Sequence, residues 1–118
     1  MYLNIRKIAY FLLWCGLTSA VIVSLLPPHH NPQFGGSMSD KVVHLVSYAI
    51  LAHVACHAGP NWRRRYILCI LVFVVSIIIE FLQPLTGRTF EGMDIVANFG
   101  GIIIGILVMK VFFRRGYA

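Results

Sequence analysis

The residues of this chain that can do chemistry are few and fall into three short clusters: Asp40 with His44, Glu80 with Gln83, and Arg88 followed by Asp94 and Asn98. Carboxylates, an imidazole, two amides and a guanidinium can bind a polar or anionic group, divide acid and base roles, or hold a divalent cation. Read as helices, the clusters become stripes. Asp40 and His44 lie one turn apart, with Ser47, Tyr48 and Leu51 continuing their face, and Ser76, Glu80 and Gln83 share a second. Asp94, Asn98, Gly101 and Gly105 run down a third, where Gly101 and Gly105 form a small-xxx-small pattern that allows close helix approach. The stripe that packs is therefore the stripe that carries Asp94 and Asn98. A structural role competes with each functional one: Asp40 and Asp94 stand where carboxylates cap helix N-termini, and His44, Gln83 and Asn98 suit hydrogen bonds between helices.

These stripes must be positioned by elements of an unusual kind. Of 118 residues, 58% are hydrophobic and 12% charged, about half the charged fraction of a soluble domain. Four apolar segments, about 8–26, 42–58, 66–83 and 95–113, are each long enough to span or nearly span a bilayer as a helix. The second is the weakest because it holds His44, His53 and His57. Pro27-Pro28, Gly59-Pro60-Asn61, Pro84 and Glu91-Gly92-Met93-Asp94 mark the breaks. The reading is an all-α integral membrane four-helix bundle forming a single domain over residues 1–118. Its first helix is a true span rather than a cleaved signal, since the run from 8 to 26 exceeds the ~7–15 residues of a signal core.

Charge sets the orientation. Arg6, Lys7, Arg63, Arg64, Arg65, Lys110, Arg114 and Arg115 fall on one side, whereas Lys41 and Arg88 share the other with Asp40, Glu80, Glu91 and Asp94. The net charge of +6 thus divides into +8 on one side and −2 on the other. Basic residues favour the cytoplasm, so both termini are expected there and the acids on the opposite face. The same clustering, without a groove or basic arm, argues against nucleic acid as a partner. Cys15, Cys56 and Cys69 match neither a disulfide framework nor a zinc pattern and are read as packing or lipid-facing. His29 and His30 are read as solvated, and His53 with His57 as packing or interface polarity near the cytoplasmic end. No metal or cofactor is assigned, and the oligomeric state is left open.

The ordered set Asp40-Lys41-Val42-Val43-His44, Glu80-Phe81-Leu82-Gln83, Gly87-Arg88, Asp94-Ile95-Val96-Ala97-Asn98 and Gly101 to Gly105 resembles the signature of the VanZ-like membrane protein family. The resemblance covers residues 40–105. It implies a small multi-pass protein of the bacterial cytoplasmic (inner) membrane, within a family named for a member associated with low-level teicoplanin resistance. Asp40, His44, Glu80, Gln83, Arg88, Asp94 and Asn98 match its motif positions, whereas Glu91 is left out of the core site. A direct role in glycopeptide resistance does not follow from the resemblance alone.

The expected function is binding or modification of a polar or anionic group at the outer leaflet, such as a lipid-linked cell-wall precursor, with the lipid bilayer as the standing partner. Helices two and four start at that face, so their positive dipole ends, with Lys41 and Arg88, can receive phosphate or carboxylate. The alternatives are a membrane-embedded metal-dependent or acid–base hydrolase or transferase and, ranked lower, a proton or ion transporter using Glu80 and His44.

Overall fold

The structure, a computed structural model, describes the backbone of residues 2–26, 38–87 and 90–115 and the side chains within 4–26, 41–87 and 90–112. Helices α1 (Tyr2–Leu25), α2 (Met38–Ala58), α3 (Trp62–Leu82) and α4 (Gly92–Arg115) are joined by short connections, with a 3₁₀ turn, Gln83–Thr86, after α3. All four are long and apolar enough to cross a membrane, over Asn4–Leu25, Lys41–Ala58, Trp62–Thr86 and Gly92–Phe112. The Cα envelope of 46 × 23 × 21 Å exceeds a ~30 Å hydrocarbon core along its long axis.

All four helices start earlier than the apolar runs predict: α1 at Tyr2, α2 at Met38, α3 at Trp62 and α4 at Gly92. The apolar run reports the stretch compatible with hydrocarbon. Backbone hydrogen bonding needs no such limit and continues into the polar flanks.

The outward faces are apolar, as lipid contact requires: Phe11 and Trp14 on α1, Ile70 and Ile78 on α3, and Val96 and Leu107 on α4 are all exposed. Inside, α2 is the hub. It packs most extensively on α4 and also meets α1 and α3. Its buried face is built of small residues, with Ala52, Ala55, Cys56 and Ala58 fully enclosed, and Leu13 and Leu17 of α1, Val72 of α3 and Ile102 and Met109 of α4 complete the core.

The α2–α4 contact rests on two glycines. A Cβ on Gly101 would overlap the Leu45 carbonyl oxygen, and one on Gly105 would stand 2.5 Å from Ala49 O and 2.8 Å from Ala52 Cβ. Backbone thus lies on backbone, and the small-xxx-small pattern is the reason. At the opposite end of the bundle from Lys41, Asn61 caps α3 by accepting the Arg64 N–H at 3.0 Å. Arg65 donates from Nε to Gly59 O at 3.1 Å, and Arg65 and Lys110 lie over the Trp62 ring at 4.9 and 5.4 Å. This is an interfacial aromatic and basic girdle. Asn61→Ala removes the cap and is expected to cost about 1 kcal/mol, read as a lower thermal midpoint of the purified protein.

Candidate functional site

The polar stripes of three helices converge where α2 begins, α3 ends and α4 begins. Lys41 and His44 stand nearly one turn apart on α2, and Asp94, in the first turn of α4, lies between them. Its Oδ1 is 3.5 Å from Lys41 Nζ and its Oδ2 is 3.9 Å from His44 Nε2. One turn further along α4, Asn98 presents its amide oxygen to His44, whose Nδ1 donates at 2.9 Å. Because α4 lies close along α2 at Gly101, these short side chains reach across without extension. Tyr48, one turn below His44 and buried, stacks parallel to its ring at 6.4 Å.

Glu80 closes the arrangement from α3. Its Oε1 accepts the backbone N–H of Glu91 at 3.0 Å, and the Glu91 side chain in turn receives Lys41 Nζ at 2.7 Å. A continuous path therefore runs from Glu80 through Glu91 to Lys41, then to Asp94, His44 and Asn98. Glu80, Asp94 and Asn98 are 1%, 4% and 1% exposed. Two carboxylates, those of Glu91 and Asp94, face Lys41, while Glu80 is held by a backbone N–H. Charges this enclosed are costly unless paired, and each is held by a partner from another segment.

Of the sequence-predicted set, His44, Glu80, Asp94 and Asn98 come together. Gln83 does not join them: its Nε2 donates to Ser24 O of α1 at 3.2 Å. The cause is local. Gln83 keeps an αR backbone and its N–H reaches Ile79 O, so it continues α3 and stands about 60° round the helix from Glu80, where α1 takes its amide; only beyond it do Pro84 and the 3₁₀ turn, closed by Gly87 at φ 90°, take over. Asp94 also differs from a simple cap, since its carboxylate turns to α2. Asp40 lies in the first turn of α2, but its side chain, like the whole of Arg88, lies outside the described residues, as do His29 and His30.

Two members lie outside the sequence-predicted core set: Glu91, and Lys41, which the sequence places only beside Arg88 as a cation at the helix N-termini. Glu91 and Lys41 carry the best-formed ion pair of the site. Lys41 was legible as the residue nearly one turn before His44, whereas Glu91, just ahead of α4, carries no periodic signal. Among the described residues, no group of three His, Cys, Asp or Glu side chains is placed to hold a metal ion. His53 and His57 lie apart from this network, ring to ring at 4.7 Å, with Phe112 beside His53 at 6.2 Å.

What this arrangement can do follows from its donors and acceptors. Carboxylate oxygens accept from hydroxyls, amide N–H groups or an ammonium, Lys41 donates to an anion, and Asp94 beside His44 can exchange a proton. No curated protein and no solved structure matches the chain. The family model described as VanZ/LLP1 matches residues 6–113, nearly the whole length and including every member of the network. Four apolar helices closed by this network are thus those of a multi-pass membrane protein, and the chain belongs to the VanZ/LLP1 family.

Proposed function

We propose that the network end of the bundle binds a polar headgroup presented at the outer leaflet of the bacterial cytoplasmic membrane, of the class of a lipid-linked cell-wall precursor. Both termini then lie in the cytoplasm. The observation that supports this reading is a polar network drawn from three helices, with Glu80, Asp94 and Asn98 buried, in a bundle whose outer faces are largely apolar. An ionisable cluster of this kind in a membrane protein carries a functional reading by default. Glu80 and Asp94 would accept from sugar hydroxyls or amides. Lys41, held by the partly exposed Glu91, would exchange that carboxylate for a phosphate, with Arg88 as a second cation. An effect of the protein on teicoplanin sensitivity would follow from occupancy of this site.

The test is direct binding of a lipid-linked cell-wall precursor to the purified protein in nanodiscs. Arg88→Ala is expected to weaken binding by more than tenfold while leaving the thermal midpoint in place; undiminished binding by that variant would sink the reading. A second reading, acid–base hydrolysis or transfer on the same headgroup, is favoured by Asp94 standing 3.9 Å from a His44 ring that Asn98 orients. Mass spectrometry of the same incubations separates the two, since binding alone returns the precursor unchanged.

A further inference from the structure

Where α2 meets α3, the small residues Ala52 and Cys56 stand against Cys69, so two of the chain's three cysteines lie within this contact. Cys56 is fully enclosed and Cys69 is 3% exposed, and their sulfurs stand 4.0 Å apart. The Cys69 thiol also points to Ala52 O at 3.8 Å, a weak contact that is readily given up. Cys15 on α1 is exposed on the outer surface. The cysteine pair lies toward the end of the bundle opposite the Lys41 network, and none of the functional chemistry above uses it.

We propose that Cys56 and Cys69 are a redox-active dithiol that closes reversibly into a disulfide between α2 and α3. A disulfide needs sulfurs about 2.05 Å apart, so each must swing inward by about 1 Å, a motion within reach of χ1 rotation. The neighbours Ala52 and Ala55 offer only methyl groups against that movement. In the reaction one thiol loses its proton, both S–H bonds are broken and the S–S bond forms. Two electrons and two protons pass to a two-electron acceptor, for which a lipid-soluble quinone, becoming a quinol, is the class suited to a buried membrane site. A reducing compartment holds the pair as thiols, and oxidation ties the two helices around the Gly59-Pro60-Asn61 turn.

The experiment uses the full chain in detergent, both as wild type and with Cys15→Ser, and diamide as the oxidant, whose N=N bond takes up the two protons and two electrons. After quenching and denaturation, maleimide counts the remaining thiols. In the Cys15→Ser background, maleimide labelling of both cysteines is expected to vanish on oxidation, with an intact mass about 2 Da lower, and to return with dithiothreitol. In wild type only Cys15 should still be labelled. Full labelling after diamide would overturn the proposal, as would loss of thiols solely into covalent dimers on a non-reducing gel. Cys56→Ser in the Cys15→Ser background leaves Cys69 alone; it must stay reactive after diamide, and its loss there would show oxidation without pairing.

Discussion

Gly101→Ala is expected to disrupt the bundle, while Gly100→Ala, one residue away, is expected to leave it intact or slightly firmer. The two positions sit in the same helix and undergo the same chemical change. At Gly101 the added methyl would overlap the Leu45 carbonyl and come within 3.0 Å of the Ala49 nitrogen, so only separation of α2 from α4 relieves it. At Gly100 the nearest atom is the tip of the Leu45 side chain at 3.4 Å, which can give by rotation. Overpacking commonly costs about 1–3 kcal/mol, and the rigid backbone partner puts Gly101→Ala at or above the top of that range. Alanine at an undemanding helical position instead gains up to ~1 kcal/mol over glycine. Thermal midpoints and size-exclusion profiles of the two variants in detergent check this, and equal behaviour would mean that the helices are not held at backbone contact.

Glu80 separates support of the fold from work at the site. Glu80→Gln keeps a carbonyl oxygen for the Glu91 N–H and nearly the same volume, so its thermal midpoint should match wild type. The charge is gone, however, and precursor binding should fall at least tenfold, about 1.4 kcal/mol. Glu80→Ala removes the acceptor as well, leaving the part-buried Glu91 N–H without it and a void where the enclosed side chain stood, with a cost of about 1–3 kcal/mol. Binding and unfolding measured on both variants should therefore diverge for glutamine and fall together for alanine. Were Glu80→Gln to bind as wild type does, Glu80 would be only a brace for the α3–α4 connection.

Much of this arrangement was legible before any coordinates. Runs of apolar residues located four spans because hydrocarbon tolerates little else, and the spacing of Asp94, Asn98, Gly101 and Gly105 placed polar and packing groups on one stripe because α-helical geometry is regular there. Where regularity ends, legibility ends with it. Gln83 stands at the last α-helical position, about 60° round the helix from Glu80, and periodicity alone does not say that α1 takes its amide. Glu91 precedes α4, where no periodicity points its side chain at Lys41. The meeting of Cys56 with Cys69 depends on how tightly the chain turns at Gly59, where a Cβ would stand 2.8 Å from the Arg65 nitrogen; cysteine spacing alone carries no such information.

The dependence of α2 on α4 has a consequence for biogenesis. Of the four described spans α2 is the least apolar, and the groups that neutralise Lys41 and orient His44 reside at and just before the start of α4, which is synthesised after it. A nascent chain therefore carries α2 with Lys41 and His44 short of their α4-side partners until α4 has emerged.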